Sequence, residues 1–476
     1  MIVPPDDPAN LELSPEVMQA MGQAVLGRVV DHIASLADQP ACGDVVAEKL
    51  CRSLREPVPE HGLPHEELLE PLFREWIPRS FNTASPGYLA YIPGGGIFPA
   101  ALADLIADAT NRFTGIWQAA PALVQLEANV LDWFRDWMGF PTSTRGLFTT
   151  GGSMSTFNAI LCARERLLGR EIRSGVLYTS TQAHASVIKS ASLAGIFPDR
   201  VRTVPVDEKF RMRVTTLGEE IDKDRRAGLQ PFLVVSTAGT TNTGAVDPLD
   251  AIADLCERAG LWHHVDGAYG AFFHVVEPLR PLLAGLPRAD SLSLDPHKGL
   301  FLPYGTGALL VRDGSALRAV HAVQASYLPP AVDDEFYDPA QHGPELSRGF
   351  PGLRVWLTIK TFGAARLRAA IAEKRALAVA AADRLAREPG IALVAPPQLS
   401  LFAFRLEPPG ASPAVRDDAT RRLLERVNAR GRAMLTGCTV DGQFLARVCV
   451  LSFRTRRSHL ETAVDQIIEE AAIASR

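Results

Sequence analysis

The chain has 476 residues, of which 47% are hydrophobic and 22% are charged, and its formal net charge is −5. These values are typical of a globular protein with a large core, and they argue against a nucleic-acid partner, which would favour a basic surface. The sequence has no apolar run of about 18 residues and no signal-peptide pattern, so we expect a cytoplasmic protein without a membrane span.

The first predicted elements are two helices that lie outside any alternation of strands and helices. Residues 14–16 (SPE) have the pattern of a helix N-cap, a proline at the first helical position and an acidic first turn. A second helix is predicted over about residues 64–76. Because apolar helix faces need a surface to cover, we expect residues 1–80 to form an arm that packs on another subunit.

The central part of the chain alternates between short apolar strands and helices. The predicted strands include GVLYTS, RVRTVPV, PFLVVSTAG, LWHHVDGAY and DSLSLD. Such βαβ units form a mainly parallel sheet, so residues 81–345 are predicted to form one large α/β domain. A long helical segment and the strands LSLFAFRL and FLARVCVLSF predict a smaller C-terminal α/β domain over residues 346–476.

Polar residues follow several of these strands, at the edge where parallel sheets bind ligands. Gly151, Gly152 and Ser153 open a helix whose free N–H groups suit a phosphate. A glycine-rich turn with a serine cap has the same sequence, so this motif by itself leaves both interpretations open. His184 also opens a helix, where a cap or a surface position is the commoner role.

Asp266 ends an apolar strand, either as a helix cap or as a functional carboxylate. Gly267 and Ala268 follow it, and small residues there allow a flat group to approach the backbone. His263, His264 and Asp266 also resemble metal ligands, but adjacent histidines on a strand point to opposite faces. The six scattered cysteines form no CxxC pair, which predicts free thiols in a reducing compartment. We therefore assign no metal site.

Lys298 differs from the other six lysines in its surroundings. It follows the alternating segment SLSLDPH, whereas the others, including Lys374, lie in charge-rich or amphipathic segments typical of solvated faces. An apolar setting favours the neutral amine and suits it for Schiff-base chemistry. Pyridoxal 5'-phosphate requires four groups at one sheet edge: a helix start that binds phosphate, a histidine, an acid and an amine.

Seven motifs in order resemble the group II pyridoxal-phosphate-dependent decarboxylases, closest to the aromatic-L-amino-acid decarboxylase branch. They are SPGYLAYIP, WQAAPALVQLE, TTGGSMST, QAHASVIKSA, STAGTTNTGAVDPL, WHHVDGAYG and DPHKG. The resemblance implies the type I pyridoxal-phosphate fold, related to aspartate aminotransferase. It also implies a large cofactor-binding domain, an amino-acid substrate and a homodimer with shared active sites.

The resemblance further implies a role for each residue of the central group. Lys298 would bind the cofactor covalently, Asp266 would pair with its pyridine nitrogen, and Ala268 would lie under its ring. His184 would stack on the other face and help to hold the substrate carboxylate. With Tyr327, which belongs to a separate loop, Lys298, Asp266 and His184 would form the catalytic set.

The phosphate end of the cofactor has its own predicted contacts. By the same resemblance, Gly152 and Ser153 would bind the phosphate, His297 would reach it, and Thr237 would contact the cofactor near its ring oxygen. Asp295 stands where some relatives have an asparagine near the phosphate. Because a second anion would repel the phosphate, Asp295 receives no binding role.

The resemblance also predicts the residues of the substrate pocket. The resemblance places Tyr91, Pro93, Gly94 and Trp117 in this pocket. Gly94 stands where aromatic decarboxylases can offer a hydroxyl, so we expect a roomier pocket. Tyr327, in SYLPP, resembles the tyrosine of a catalytic loop that enters the partner's active site, and the alternative is a surface anchor.

The sequence therefore predicts a dimeric enzyme that decarboxylates an aromatic L-amino acid to the amine and CO2. One alternative is an aldehyde synthase on the same scaffold, which decarboxylates and oxidatively deaminates. An aminotransferase or carbon–carbon lyase is a second, and the WQAAPALVQLE motif argues against it. A binding relative without cofactor is a third, and the intact set of site residues argues against that.

Overall fold

Two β-sheets flanked by helices form the protein in its computed structural model, which describes residues 10–43, 47–169, 171–330 and 335–474. The strands of the larger sheet are β1 (Arg145–Thr149), β2 (Gly175–Ser180), β3 (Val201–Val204), β4 (Gln230–Thr237), β5 (Trp262–Asp266), β6 (Ser291–Leu294) and β7 (Gly307–Val311). The strands of the smaller sheet are β8 (Ile391–Ala395), β9 (Leu401–Leu406), β10 (Thr436–Val440) and β11 (Gln443–Cys449).

Helices precede, connect and follow these strands. Those before the larger sheet are α1 (Pro15–Ala34), α2 (Glu48–Ser53), α3 (His65–Pro71), α4 (Phe98–Thr110) and α5 (Pro121–Met138). Those in its connections are α6 (Gly152–Leu167), α7 (Ser186–Leu193), α8 (Val214–Arg226), α9 (Leu249–Ala259) and α10 (Pro296–Gly299), and α11 (Ser315–His321) follows its last strand. The C-terminal helices are α12 (Pro351–Phe362), α13 (Ala364–Leu385), α14 (Pro413–Ala429) and α15 (Arg457–Ala474). Within the described ranges, every helix is too short or too polar to cross a lipid bilayer.

Short segments of 3₁₀ and π helix complete the secondary structure of the described residues. A π-helical turn spans Leu72–Trp76 and continues α3. The 3₁₀ segments are Ile77–Arg79, Trp117–Ala119, Ile172–Ser174, Pro198–Arg200, Ala271–Val275, Glu277–Leu283, Leu286–Arg288 and Pro339–Gln341.

The larger sheet has the strand order β1-β7-β6-β5-β4-β2-β3, and the predicted mainly parallel arrangement is confirmed. The exception is β7, which runs antiparallel to both β1 and β6. A parallel return needs a crossover, usually a full helix, whereas the β6–β7 connection holds only the four-residue α10. The register pairs Thr237 with Asp266 and Asp266 with Ser293, so the ends of β4, β5 and β6 meet at one edge.

The core of the larger sheet is buried on both faces. Successive side chains of a strand point to opposite sides, and β4 shows the consequence. Leu233 and Val235 pack in a cluster that includes residues of α6 and α7, whereas Val234 packs with residues of α8 and α9. When helices cover both faces of a parallel sheet, the sequences of its strands are apolar at nearly every position. This explains why β4 has so few polar residues.

Both helices predicted in the N-terminal segment are present. Ser14 caps α1, and its Oγ accepts a 3.3 Å hydrogen bond from the Val17 N–H. The second predicted helix is α3 with the following π-helical turn. Leu26 and Val30 of α1 are exposed in the single chain. The domain divisions after residues 80 and 345 stay predictions.

The smaller sheet is antiparallel throughout, with the order β10-β11-β9-β8. The long helical segment before it is broken at Gly363, whose φ of 76° favours glycine and separates α12 from α13. The expectation that Lys374 lies on a solvated face is wrong, because its side chain is 0% exposed. Its Nζ donates a 2.6 Å hydrogen bond to the Thr455 carbonyl and lies 2.8 Å from Glu373 Oε2, which compensates the burial.

Candidate active site

A cavity of about 330 Å³ lies where β4, β5 and β6 end. All eight residues predicted to bind the cofactor line it: Gly152, Ser153, His184, Thr237, Asp266, Ala268, His297 and Lys298. A roomier cavity of about 700 Å³ lies elsewhere, between residues near Asp247 and the start of the smaller sheet. The smaller cavity is the candidate site because it gathers an amine, carboxylates and histidines at the carboxyl edge of the sheet.

Lys298 lies on α10 and forms an ion pair inside this cavity. Its Nζ is 2.8 Å from Oδ2 of Asp295, and His297 Nε2 is 3.4 Å from the same oxygen. Asp295 is 1% exposed, and its Oδ1 has no hydrogen-bond partner in the part of the chain that the structure describes. The residue that was given no binding role is therefore the direct partner of the predicted cofactor-binding amine.

His297 is held in one tautomer by its surroundings. Its Nδ1 lies 2.8 Å from the Thr306 carbonyl oxygen, so Nδ1 donates and carries the proton of the neutral ring. Burial lowers the pKa of His297, Asp295 opposes this shift, and the Lys298 ammonium adds to it. The neutral ring therefore turns an unprotonated Nε2 towards Asp295.

Asp266 is buried at the end of β5. Its Oδ1 accepts a 3.2 Å hydrogen bond from the Ala268 N–H. Burial raises the pKa of Asp266, and the Lys298 ammonium and then His184 oppose that shift. A buried carboxylate of this kind is stabilised by a cation beside it, which a protonated pyridine nitrogen would provide.

His184 precedes α7 and is oriented by the first residue of that helix. The Ser186 N–H donates a 3.2 Å hydrogen bond to His184 Nδ1, and Ser186 Oγ lies 2.7 Å from the same nitrogen. A neutral imidazole whose Nδ1 accepts carries its proton on Nε2. His184 therefore has an Nε2–H donor available for a ligand in the cavity.

The start of α6 forms a narrow part of the cavity wall. A Cβ added to Gly152 would lie 2.8 Å from Ala268 Cβ, so glycine is the residue that fits there. Gly151 has a φ of 154°, a conformation that L side chains rarely adopt. The first N–H groups of a helix have no partner within it, so this end of α6 presents donors and a positive dipole end to the cavity.

Thr237 ends β4, and a buried carboxylate positions it. Its N–H donates a 2.8 Å hydrogen bond to Asp247 Oδ2, while Asp247 Oδ1 accepts 2.7 Å from the Met212 N–H. Thr237 Oγ1 is buried, and no described residue hydrogen-bonds it. Burial raises the pKa of Asp247 to about 6. Sequence reasoning missed Asp247, although it lies within the quoted motif STAGTTNTGAVDPL.

The predicted substrate-pocket loop lies beside the cavity. Ile92 lines it, between the exposed Tyr91 and the buried Pro93. Tyr91 has a φ of 51°, which is strained for a bulky residue. A Cβ added to Gly94 would lie 3.1 Å from the Tyr304 ring and 3.0 Å from the His297 carbonyl. Tyr304 therefore occupies the space beside Gly94 on this side, and the roomier substrate pocket expected there stays a prediction.

Trp117 and Tyr327 are not among the residues that line the cavity. The Trp117 ring packs on Phe336 with centroids 4.7 Å apart, and Gln118 Nε2 donates a 2.7 Å hydrogen bond to the Pro330 carbonyl. Tyr327 is 77% exposed. The structure thus places the Tyr327 loop against the Trp117 turn, and the entry of Tyr327 into a partner's site stays a prediction.

The two histidines considered as metal ligands bond to serines of neighbouring strands. His263 Nε2 lies 2.8 Å from Ser236 Oγ, and His264 Nδ1 lies 2.8 Å from Ser291 Oγ. Burial lowers the pKa of both rings to about 3. Across the described ranges, no group of three or more His, Cys, Asp and Glu side chains is arranged to hold a metal ion.

The cavity fits pyridoxal phosphate in its chemistry. Thr237 Oγ1 is a buried hydroxyl that needs a partner, and Asp266 is a buried carboxylate that a cation would stabilise. Gly152 has no side chain and lies close to Ala268, so the cavity stays open beside the donors of α6. Lys298 provides an amine within the same cavity.

Residues 48–407 match the family model described as the pyridoxal-dependent decarboxylase conserved domain. The chain belongs to this family. It is 35% identical to the aromatic-L-amino-acid decarboxylase of Bacillus atrophaeus, over 94% of this chain and 94% of that protein. It is 31% identical to a tryptophan decarboxylase of Camptotheca acuminata, over 96% of this chain and 95% of that protein.

Solved structures of family members have the same fold. The crystal structure of Oryza sativa TDC with PLP and tryptamine matches 99% of this chain and 100% of that chain, with a TM-score of 0.93 and 28% identity. Catharanthus roseus tryptophan decarboxylase in complex with L-tryptophan matches 98% of this chain and 100% of that chain, with a TM-score of 0.91 and 27% identity. The predicted type I fold is confirmed. This family member is a carboxy-lyase, and its cofactor is pyridoxal phosphate.

Proposed function

We propose that this decarboxylase acts on an aromatic L-amino acid, releasing the amine and CO2, in a cytoplasmic homodimer with shared active sites. One observation carries the proposal: Lys298, Asp266, His184 and the start of α6 line one cavity. The relatives named as aromatic-L-amino-acid and tryptophan decarboxylases support the aromatic substrate class.

When bound, pyridoxal phosphate supplies an electron sink for the bond that breaks at the substrate's α-carbon. Lys298 would hold its aldehyde covalently, and Asp266 would hold a proton on its ring nitrogen. Ala268 would contact one face of the ring and His184 the other. Asp266 suits its role because burial excludes water from it, which strengthens its interaction with a cation.

The phosphate would bind at the start of α6. Gly152 and Ser153 provide backbone N–H groups there, and His297 lies beside Gly151. Thr237 Oγ1 would donate to, or accept from, the ring oxygen of the cofactor. The hydrogen bond from the Thr237 N–H to Asp247 fixes the backbone at this position, so the residue that carries the hydroxyl is already in place when the cofactor arrives.

His184 would also orient the substrate. Its Nε2–H donor suits the substrate carboxylate, because its Nδ1 is already occupied by Ser186. Orientation matters here, since the bond to the carboxylate must stand perpendicular to the plane of the electron sink. Tyr91, Pro93, Gly94 and Trp117 would surround the aromatic side chain of the substrate together with the partner subunit.

Tyr327 would protonate the substrate's α-carbon after CO2 leaves. A phenol is a suitable acid for that carbon, and a closing loop would exclude water and oxygen at the same time. The high exposure of Tyr327 in the single chain supports a role towards a second subunit. The exposed Leu105 and Ile106 of α4 support a subunit interface as well.

The cytoplasmic location rests on the cysteines. All six lie within the described ranges and are free thiols. Free thiols are typical of a reducing compartment.

The test of the proposal combines a spectrum with a substrate screen. Purified protein should show the visible absorbance of lysine-bound cofactor, and Lys298→Ala should abolish it. Release of CO2 and amine is then measured with L-tryptophan, L-tyrosine, L-phenylalanine and L-glutamate. Turnover with an aromatic substrate supports the proposal. A preference for L-glutamate, or turnover by Lys298→Ala, would contradict it.

A further inference from the structure

Asp295 is a second buried carboxylate in the cavity, and it lies between the Lys298 ammonium and the predicted phosphate site. Its Oδ2 touches both Lys298 Nζ, at 2.8 Å, and His297 Nε2, at 3.4 Å. A Cβ added to Gly152 would lie 3.4 Å from Asp295 Oδ2, and one added to Gly151 would lie 3.9 Å from Oδ1. The carboxylate therefore borders the start of α6, where the phosphate would bind.

Cofactor binding would change the charges on two sides of Asp295. The positive end of α6 would face a phosphate instead of the carboxylate. Lys298 would have to give up its ammonium proton, because only the neutral amine attacks an aldehyde. Asp295 is 1% exposed, so water cannot solvate a charge that has lost its partners, and a buried unpaired carboxylate is costly.

We propose that Asp295 accepts the ammonium proton of Lys298 when the cofactor enters, which makes the lysine nucleophilic and neutralises the carboxylate beside the phosphate site. This inference rests on the proposed role of Lys298. The 2.8 Å contact between Nζ and Oδ2 lies within the range for direct proton transfer. Asp295 then acts on the cofactor through Lys298, as a positioning and proton-accepting residue.

The reaction balances without any further reagent. The ammonium and the carboxylate become an amine and a carboxylic acid. The amine forms a C=N bond with the aldehyde carbon, and the aldehyde oxygen leaves as water with the two amine hydrogens. The neutral His297, whose Nδ1–H donates a hydrogen bond to the Thr306 carbonyl, offers an unprotonated Nε2 as acceptor for the new O–H of Asp295.

The other groups around Asp295 are few among the described residues. On its own element they are Lys298 and His297. From β5, Asp266 faces the same lysine, and its charge interacts with Asp295. From the turn before α7, His184 interacts with Asp266. α6 contributes only the positive end of its helix dipole to these surroundings. Two carboxylates therefore share one ammonium, and loss of that ammonium favours a proton on one of them.

The test measures the rate of covalent cofactor attachment to the cofactor-depleted protein, followed by absorbance, as a function of pH. The wild type should show little change between about pH 6.5 and 8.5, because the proton acceptor is internal. In Asp295→Asn the proton must pass to solvent. Its rate should be at least about tenfold lower at pH 6.5 and should rise about tenfold per pH unit.

Two controls make the outcome specific. Pyridoxal, which lacks the phosphate, should show the same difference between the two proteins, because the proposal concerns Lys298. Asp132→Asn, which removes a carboxylate that pairs with Arg135 on α5, should keep the wild-type profile. A second variant, Asp295→Ala, should regain its rate at low pH when acetate is added as an external base.

Three results would overturn the proposal. Parallel pH profiles, or faster attachment in Asp295→Asn at every pH, would mean that Asp295 merely holds the ammonium. A difference seen with pyridoxal phosphate but not with pyridoxal would mean that Asp295 acts on the phosphate. Failure of the proposed function itself is distinguishable, because the substrate screen reports on it separately, and attachment that persists in Lys298→Ala would show that Lys298 is not the residue that binds the cofactor.

Discussion

The Thr237 N–H donates a 2.8 Å hydrogen bond to Oδ2 of Asp247, so a buried carboxylate outside the cavity positions a residue that lines it. Both oxygens of Asp247 accept backbone hydrogen bonds, and the residue is 1% exposed. Its burial affects the stability of the whole chain, because a buried carboxylate titrates differently in the folded and unfolded states.

The first prediction follows from the pKa of Asp247, which burial raises from 3.8 to about 6. The Asp247 carboxyl keeps its proton to a higher pH in the folded protein than in the unfolded chain. The protonated carboxyl therefore stabilises the fold fully below pH 3.8, and this contribution is lost as pH rises through about 6. The free energy of unfolding of the wild type relative to Asp247→Asn should fall by on the order of 3 kcal/mol across that window. Urea unfolding of cofactor-depleted protein at several pH values measures it, and a pH-independent difference would contradict the prediction.

A second prediction concerns Gly152→Ala. The new Cβ would lie 2.8 Å from Ala268 Cβ, and the overlap would close the cavity wall beside the predicted phosphate site. We expect the dissociation constant of pyridoxal phosphate to rise at least about tenfold. The matched control is Gly62→Ala, where no atom lies within 4 Å of the added Cβ. Equal affinities of the two variants would show that the start of α6 does not contact the cofactor.

A third prediction concerns Asp266→Asn. The amide has no charge to hold a proton on the ring nitrogen, so the electron sink should weaken while the cofactor still binds. We expect kcat to fall by about a hundredfold or more, by analogy with the loss of one preorganised electrostatic partner. Steady-state kinetics at saturating cofactor measures it. An unchanged kcat with a raised KM would assign Asp266 to a structural role at the end of β5.

The fourth prediction concerns Tyr327→Phe. The phenylalanine cannot donate a proton to the substrate's α-carbon, so amine release should slow by about 10²- to 10⁴-fold. The remaining turnover should yield aldehyde, ammonia and peroxide through reaction with oxygen. Amine and peroxide are measured for both proteins with the best aromatic substrate. Stoichiometric peroxide from the wild type would instead favour the aldehyde synthase, and an unchanged amine yield in the variant would exclude Tyr327 as the acid.

Much of the candidate site could be predicted from the sequence, because its signals are local. Gly152, Asp266 and Lys298 each end or follow a recognisable strand, and parallel strands bring their carboxyl ends to one edge. The chemistry of a phosphate, a pyridine nitrogen and an aldehyde then restricts which residue types are useful there. The Ser14 cap of α1 was predictable for the same reason, since the signal lies within a few residues.

Other features depended on residues that are far apart in the chain. The burial of Lys374 depends on Thr455, and the space beside Gly94 is filled by Tyr304, which lies 210 residues away. The antiparallel direction of β7 accompanies a connection that holds only the four-residue α10 instead of a full crossover helix.

The sequence by itself determined the fold class, the mainly parallel sheet and the residues at its edge, because periodicity, caps and strand ends act over a few residues. The tertiary structure decided which of those residues touch. Asp295 is the clearest example. Its sequence position suggested an unfavourable second anion, but folding brings its Oδ2 to 2.8 Å from Lys298 Nζ and buries both it and its neighbour His297. Ion pairing and desolvation depend on distances across the fold, and no local pattern contains them.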